Sequence, residues 1–156
     1  MDINQEVELL RSIPLLSKLD SSKLKLLAFT SRLVEYPDGA YLFRKQDPVD
    51  AVYLIMRGEA EVISSDLAST EPQVAVVRAE GDLIGEIAVL SRQGRTASVR
   101  ARGELVVLYI EGDMFVQLLT CNPDVALDVM HQLSDKLAQA HVTNNKLQQA
   151  LSAGSS

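Results

Sequence analysis

Residues 81–101, GDLIGEIAVLSRQGRTASVRA, combine a glycine-led turn, the start of a short helix and an arginine nine residues after a glutamate. Gly85 has no side chain, so its backbone can approach a ligand closely. If a helix begins at Glu86, the free N–H groups of its first turn attract an anion. The guanidinium of Arg95 can hold two oxygens of one phosphate in a planar fork. This stretch therefore predicts an anion-binding site.

The carboxylate of Glu86 has the wrong charge for a phosphate, but it can accept a hydrogen bond from a sugar hydroxyl. Glu86, Ile87 and Ala88 supply the free N–H groups at the start of the predicted helix. A ligand with a phosphate and a sugar hydroxyl close together would therefore bind Arg95 and Glu86 at the same time.

The same stretch resembles the phosphate-binding cassette of the cyclic nucleotide-binding domain family. The family pattern is hydrophobic-Gly-Glu-any-small-aliphatic, a gap of variable length, and then Arg-small-Ala-any-aliphatic-any-small. Ile84–Val89 reads IGEIAV and, five residues later, Arg95–Ala101 reads RTASVRA, so every position fits. The resemblance extends over about Leu9–Leu147, nearly the whole chain. We call residues 84–101 the cassette.

The resemblance implies an α+β fold, in which N-terminal helices and a long C-terminal helix flank an antiparallel, jelly-roll-like β-roll. It implies a cyclic nucleotide as ligand, with cyclic AMP favoured over cyclic GMP. It also implies a regulatory role in which the C-terminal helix signals that the ligand is bound. The residues that it assigns to the ligand are Gly85, Glu86, Ile87, Ala88, Arg95, Thr96, Ala97 and, on the C-terminal helix, His141.

Two parts of this implied site leave the base open. Thr96 can donate its hydroxyl to the phosphate, but relatives with a hydroxyl residue there bind either base, so Thr96 does not distinguish them. In the catabolite activator type, two hydroxyl residues of the C-terminal helix bind adenine, and the corresponding positions here are Ala140 and His141. Ala140 cannot form that bond, which leaves His141, or Thr143 and Asn144 a turn later, to cap the base.

A second family motif, near residues 42–58, is matched less well. The Gly-Asp/Glu pair of the family is replaced by Gln46 and Asp47, and a small residue is replaced by Val49. Those glycines support a turn and do not contact the ligand. The substitutions therefore put the geometry of this loop in question and leave the binding chemistry unaffected.

The residue pattern divides the chain into helical and β parts. We predict one domain over residues 1–151, with helices in 1–32, the β-roll in 33–111 and C-terminal helices in 113–151, followed by a disordered tail at 152–156. Apolar residues at helical spacing predict a helix over residues 3–11, and Asp20 or Ser21 can cap the next one. Short apolar runs between turn residues predict the strands Val52–Ile55, Ala60–Ile63, Val74–Val77, Ala97–Arg100 and Leu105–Ile110.

The C-terminal part has the pattern of two helices. Asp113 can cap the first, and Asn122 followed by Pro123 is a strong start signal for the second. Along the second helix, alternating steps of three and four give a heptad row of Met130, Leu133, Leu137, Ala140, Asn144, Leu147 and Leu151. An Asn in such a row favours a parallel two-stranded coiled coil, so we expect a homodimer. The alternative is that Met130–Leu137 pack on the β-roll of their own chain.

The composition limits the class of protein. A chain of 156 residues, 47% hydrophobic and 23% charged, fits one globular domain. It has no apolar run of membrane-spanning length, and residues 1–20 carry charges where a signal peptide is apolar, so we expect a cytoplasmic protein without membrane contact. One cysteine, Cys121, excludes an internal disulfide.

The charge of the chain argues against nucleic-acid binding. The formal net charge is −6 and there is no basic run, whereas DNA binding requires clustered Lys and Arg. The chain also ends about where the related transcription regulators begin a helix-turn-helix. We therefore expect that this chain alone does not bind DNA.

Catalytic residues are not evident. His131 and His141 do not have the spacing of a helical metal pair, and no nucleophile–base pair stands out, so we expect no metal, no cofactor and no enzyme. The main interpretation is a cyclic nucleotide-binding regulatory module with an unknown effector protein as partner. The alternative is a ligand-free interaction domain that dimerises through its last helix and retains the cassette as a vestige.

Overall fold

Two strands of 14 residues each form the centre of an antiparallel sheet, and helices from both ends of the chain pack against it. The computed structural model describes residues 2–64, 73–92, 94–95 and 97–154, and it describes side chains in these ranges except at 64, 73 and 140–154. None of the helices in the described ranges combines the length and the apolar character that crossing a bilayer requires.

Helices lie at both ends of the chain and one short helix interrupts the strands. The α-helices are α1 (Ile3–Arg11), α2 (Ser21–Thr30), α3 (Glu86–Ser91), α4 (Gly112–Cys121) and α5 (Pro123–Gly154), and a 3-10 helix (Pro14–Leu16) follows α1. The strands are β1 (Arg32–Tyr36), β2 (Tyr41–Phe43), β3 (Ala51–Ser64), β4 (Gln73–Arg78), β5 (Leu83–Ile84) and β6 (Ser98–Glu111).

The strands form one antiparallel sheet with the order β1-β6-β3-β4, while β2 also pairs with β6 and β5 with β3. This is the β-roll of an α+β fold, and it confirms the predicted fold class. Because β5 pairs with β3 through Tyr53 and Ile84, the chain enters the cassette directly from the centre of the sheet.

Alternation along β3 explains why its sequence is apolar on both faces. Leu54 and Met56 belong to a core cluster shared with the helices, whereas Tyr53 and Ile55 belong to a second cluster inside the roll. Successive side chains of a strand point to opposite faces, so a strand buried on both faces has a continuous apolar run. The two clusters fix the register of β3, since a shift by one residue would exchange them.

Both central strands are longer than predicted. The prediction of separate strands at Val52–Ile55 and Ala60–Ile63 is wrong, because β3 continues through Gly58 with register shifts against β6 on either side of Arg57. Gly58 has φ +95°, and a Cβ there would lie 2.4 Å from the carbonyl oxygen of Glu104. A glycine at a bulge and a glycine at a strand end give the same sequence signal.

Sequence signals located most helix ends. Asp20 caps α2, accepting a hydrogen bond from the backbone N–H of Lys23 at 2.9 Å. The predicted cap at Asp113 is wrong, because α4 already begins at Gly112. Helix α5 begins at Pro123 as predicted, but it is helical through Gly154 and so includes part of the segment predicted as a disordered tail. Residues 155–156 lie outside the described residues.

The loop between β2 and β3 keeps a turn that requires a left-handed residue. Gln46, which occupies the position of the family's glycine, has φ +73°, and its N–H donates to the carbonyl oxygen of Arg95 at 2.9 Å. The carboxylate of Asp47 accepts from the backbone N–H of Arg44 at 2.8 Å. The loop therefore has the conformation for which glycine is suited, at the strain cost of a side chain at positive φ.

We expect Gln46→Gly to stabilise the protein. Relief of left-handed strain is worth about 1–2 kcal/mol, and the added freedom of the unfolded chain removes about 0.4–1 kcal/mol of it. The net increase in the free energy of unfolding is about 0.5–1 kcal/mol, measured by urea denaturation. The neighbouring Lys45→Gly is the control, because no positive φ is relieved there and it should destabilise. Equal effects of the two changes would contradict this account.

Candidate ligand-binding site

Helix α3 begins where the sequence placed it. Gly85 precedes the helix in the left-handed conformation, with φ +81° and ψ +5°, and α3 spans six residues from Glu86. No side chain caps this helix start. The sharp change of direction at Gly85 carries the chain from β5 into α3, and the carbonyl oxygen of Gly85 accepts both from the N–H of Val89 in α3 and from the side chain of Arg95.

Arg95 is buried at the centre of the cassette, with only 3% of its surface exposed. Its Nη1 donates to the carbonyl oxygen of Gly85 at 2.9 Å, and its Nη2 donates to that of Ala51 at 2.6 Å. The guanidinium also lies over the ring of Phe43, 4.2 Å from the centroid, within the range of a cation–π contact. Arg95 thus connects the glycine turn before α3 with β2 and β3.

The charge of Arg95 is only weakly compensated. Its bonds at Gly85 and Ala51 are to neutral carbonyls, and the nearest carboxylate oxygen recorded, on the exposed Asp50, lies 3.8 Å from Nη2. Burial lowers the pKa of the guanidinium, while Tyr53 and Asp50 act in the opposite direction. Arginine starts from so high a pKa that it stays protonated in proteins, so a buried positive charge remains here.

One donor of Arg95 has no acceptor. Among the buried side-chain nitrogen and oxygen atoms of the described residues, the Nε of Arg95 alone lacks a hydrogen-bond partner. Leaving a buried donor unpaired costs about 1–3 kcal/mol, and more when the group is charged. An oxygen of an anionic ligand that reached Nε would remove that cost.

Gly85 and Arg95 depend on one another sterically. A Cβ at residue 85 would lie 2.2 Å from Nη1 of Arg95 and 3.1 Å from its Cζ, well inside contact distance. The glycine is therefore required both for its positive φ and for the space that the guanidinium occupies. Sequence analysis predicted only that the backbone of Gly85 can approach a ligand closely, whereas both of these requirements come from the structure.

Glu86 is also buried, with 1% of its surface exposed, and it is ion-paired with Lys136 of α5. The ammonium of Lys136 donates in addition to the carbonyl oxygen of Leu83 at 2.8 Å. Sequence analysis did not find Lys136. Glu86 and Lys136 are 50 residues apart, and no local pattern in the sequence links them.

A cavity of about 150 Å³ lies between the cassette, the sheet and α5. It is lined by six of the predicted site residues and by eight others, namely Gly85, Glu86, Ile87, Ala88, Arg95 and Ala97, with Phe43, Val62, Val76, Arg78, Leu83, Ile84, Val99 and Lys136. Thr96 lies outside the described residues, and so does the side chain of His141. The roles assigned to these residues stay predictions.

A larger groove of about 770 Å³ shares Ala88 with this cavity. Its lining includes the carboxylates of Asp50, Glu111 and Asp113 beside Arg92. An excess of negative groups makes the groove a poor site for an anion, so the smaller cavity at Arg95 is the candidate.

The buried Arg95 and the buried Glu86 line one cavity of the β-roll, an arrangement that fits a small anionic ligand. The model of the cyclic nucleotide-binding domain family matches residues 33–122, more than half of the chain. The chain belongs to the cyclic nucleotide-binding domain family.

Comparison with individual proteins agrees with this assignment. The chain is 37% identical over 110 residues to the cAMP-dependent protein kinase regulatory subunit of Emericella nidulans, covering 70% of this chain and 26% of that protein. The regulatory domain of Toxoplasma gondii PKA, solved with cAMP, superposes with a TM-score of 0.71 at 26% identity, over 88% of this chain and 50% of that one. The regulatory subunit of a cAMP-independent protein kinase A from Trypanosoma cruzi, bound to guanosine, superposes with a TM-score of 0.72 at 26% identity, over 95% of this chain and 51% of that one. The matched part of the chain spans about a quarter of the length of the Emericella nidulans protein.

We expect Gly85→Ala to destabilise the protein more than Gly81→Ala. Both glycines have positive φ, +81° and +89°, so each substitution costs about 1–2 kcal/mol in backbone strain. An added Cβ at Gly81 meets nothing within 4 Å, whereas at Gly85 it displaces the guanidinium. The lost charged hydrogen bond adds about 1.5–3 kcal/mol at Gly85 only. Denaturant unfolding measures both variants, and equal losses would show that Arg95 is not held as described.

Proposed function

We propose that the domain is a regulatory sensor that binds a cyclic nucleotide, with cyclic AMP favoured over cyclic GMP. In this proposal the single negative charge of the cyclic phosphate meets Arg95 and the backbone N–H groups of Gly85, Glu86, Ile87 and Ala88. The ribose 2′-hydroxyl donates to the carboxylate of Glu86. Family membership and the arrangement of the cavity support the assignment.

The unpaired Nε of Arg95 is the observation that carries the proposal. The guanidinium is held by two neutral carbonyls, so most of its positive charge is available to an anion. A fork of N–H donors from one side of a guanidinium matches two oxygens of a phosphate. Because Arg95 is already immobilised by its contacts, little side-chain entropy is lost when the anion binds.

The remaining predicted residues complete the proposed site. Ala97 lines the cavity beside Arg95, and we assign it contact with the phosphate end of the ligand. Thr96 is assigned a hydroxyl bond to the phosphate, and His141 is assigned to the base. For the base, the relatives point in two directions, since one is solved with cAMP and another is bound to guanosine. Both cyclic nucleotides therefore belong in the first titration.

We expect Arg95→Ala to weaken cyclic AMP binding by roughly 30-fold or more, because removing one member of a buried charge pair costs about 2–5 kcal/mol. Isothermal titration calorimetry measures the dissociation constants. Arg102→Ala is the control, since Arg102 is an exposed arginine of β6 that does not line the cavity. An unchanged affinity in Arg95→Ala would remove Arg95 from the site.

A second candidate is a ligand-free interaction domain in which the cassette is a vestige. The size of the cavity favours it, because about 150 Å³ is below the roughly 300–1,000 Å³ of typical small-molecule sites. The proposed sugar acceptor is also occupied by an ion pair with Lys136. Absence of any heat with both cyclic nucleotides would favour this candidate over the sensor.

We also propose that the protein forms a homodimer through α5. Met130 and Leu137 of the predicted heptad row are 59% and 69% exposed, whereas Leu133 between them packs against the core. Helix α5 continues for 21 residues after Leu133, which is about 30 Å at 1.5 Å per residue. The exposed apolar residues and this length support pairing with a second copy of α5. Asn144 lies on this helix, with its side chain outside the described residues.

We expect the protein to have about twice the mass of one 17.1 kDa chain in light scattering at micromolar concentration. The double variant Met130→Glu, Leu137→Glu should be monomeric, because charges facing each other in the seam repel. Phe29→Glu is the control, since Phe29 is an 84% exposed apolar residue on α2 and not on α5. A monomeric wild-type protein would exclude this mode of dimerisation.

The output of the sensor is proposed to pass through α5 to an effector protein, in the cytoplasm and without contact to DNA or membrane. The net charge of −6 supports the absence of DNA binding, because phosphate backbones repel an acidic surface. The Emericella nidulans relative is a kinase regulatory subunit, so a protein kinase is one class of effector to test.

A further inference from the structure

We propose that Lys136 is a displaceable latch: its ammonium and the sugar hydroxyl of the ligand compete for Glu86, so that binding releases this part of α5 from the cassette. This inference rests on the proposed function, because it requires that a ligand hydroxyl uses Glu86. It adds a residue that the cassette pattern does not contain and gives α5 a specific contact through which occupancy of the site is reported.

The latch consists of a side chain with two partners. Lys136 is ion-paired with the carboxylate of Glu86 and donates to the carbonyl oxygen of Leu83 at 2.8 Å. The Lys136 side chain is only 15% exposed, and that of Glu86 only 1%. The two charges therefore compensate each other away from water, where an unpaired carboxylate would be strongly unfavourable.

Gln132 lies one turn before Lys136 on α5 and binds the neighbouring backbone. Its Nε2 donates to the carbonyl oxygen of Gly81 at 3.2 Å, and its Oε1 accepts from the N–H of Leu83 at 3.3 Å. The partners of the Gln132 side chain are backbone atoms, and a ligand that uses Glu86 does not compete for them. Releasing Lys136 therefore removes one contact between α5 and the cassette, while Gln132 keeps the preceding turn attached to the backbone around β5.

The size of the cavity indicates that something must leave when a nucleotide enters. Lys136 and Glu86 both line a cavity of about 150 Å³, roughly half the lower end of the usual range for small-molecule sites. Among the lining residues, Lys136 is contributed by a helix that packs on the roll from outside, whereas the others belong to the roll and the cassette. Withdrawal of its long side chain enlarges the cavity and exposes the sugar acceptor in the same step.

The competition predicts the sign of the effect on affinity. A ligand that displaces Lys136 must break the ion pair. Its apparent affinity is therefore its intrinsic affinity multiplied by the fraction of molecules in which Glu86 is accessible. Removing the ammonium abolishes the cost and leaves Glu86 buried without a partner, which the sugar hydroxyl then supplies. If Lys136 instead bound the ligand directly, its removal would weaken binding. Removing the ammonium of Lys136 thus strengthens ligand binding if Lys136 is a latch and weakens it if Lys136 binds the ligand.

The test compares the wild-type protein with Lys136→Met, Lys136→Arg and Lys25→Met by calorimetry with cyclic AMP and cyclic GMP. We expect Lys136→Met to bind about tenfold or more tightly than wild type, since the competing state is lost. Lys136→Arg keeps a positive charge that can donate to the carboxylate of Glu86, and its affinity should stay within about threefold of wild type. Lys25→Met, an exposed change on α2 with the same loss of charge, should leave the affinity unaltered.

Hydrogen exchange provides a readout that does not depend on affinity. Without ligand, amides of α5 around residues 133–139 should exchange faster in Lys136→Met than in wild type or Lys25→Met, because the latch no longer holds the helix. Lys136→Arg should restore slow exchange, and this also shows that the position tolerates substitution.

The outcomes separate this inference from the proposed function. If wild type binds a cyclic nucleotide and Lys136→Met binds equally or more weakly, the latch is wrong and the sensor assignment stands. If neither protein binds either nucleotide, the proposed function fails and the latch with it. If only Lys136→Met binds measurably, both are supported, because the ion pair then suppresses binding in the wild type.

Discussion

The site depends on how a single guanidinium is held. Arg95 bonds through its two terminal nitrogens to the carbonyl oxygens of Gly85 and Ala51, and it can do so only because residue 85 has no Cβ. Neutral acceptors fix the position of a cation without neutralising it, so the protein keeps a positive charge in a largely dehydrated place. Such a preorganised charge binds an anion better than a flexible surface arginine would, since neither its orientation nor its desolvation has to be supplied at the moment of binding.

The charge of Glu86, unlike that of Arg95, is compensated by an ion pair within the protein. Its carboxylate is compensated by a full opposite charge, and that charge is on α5 rather than on the roll. Arg95 and Glu86 therefore differ in what a ligand has to do to reach them: at Arg95 it adds a missing acceptor, and at Glu86 it replaces a partner. A ligand with one negative group and one neutral hydroxyl meets both conditions, and inorganic phosphate meets only the first.

Local sequence patterns predicted the parts of the structure that are made of local contacts. The glycine turn, the start of α3, the cap at Asp20 and the beginning of α5 at Pro123 all follow from residue types within a few positions of each other. The continuity of β3 through Gly58 was missed because the need for a glycine there comes from the carbonyl oxygen of Glu104, which is on β6 and distant in the sequence. Lys136 was missed for the same reason, since its position in the site is decided by how α5 crosses the roll and not by its own neighbours.

The bulged strand β3 has a mechanical consequence for the domain. Its first residue, Ala51, accepts the bond from Arg95, and two residues later Tyr53 pairs with Ile84 at the entrance to the cassette. Ile84 and Arg95 of the cassette are thus attached within three consecutive residues of one strand. Because these two attachment points lie on one short segment, any bending of β3 moves them together.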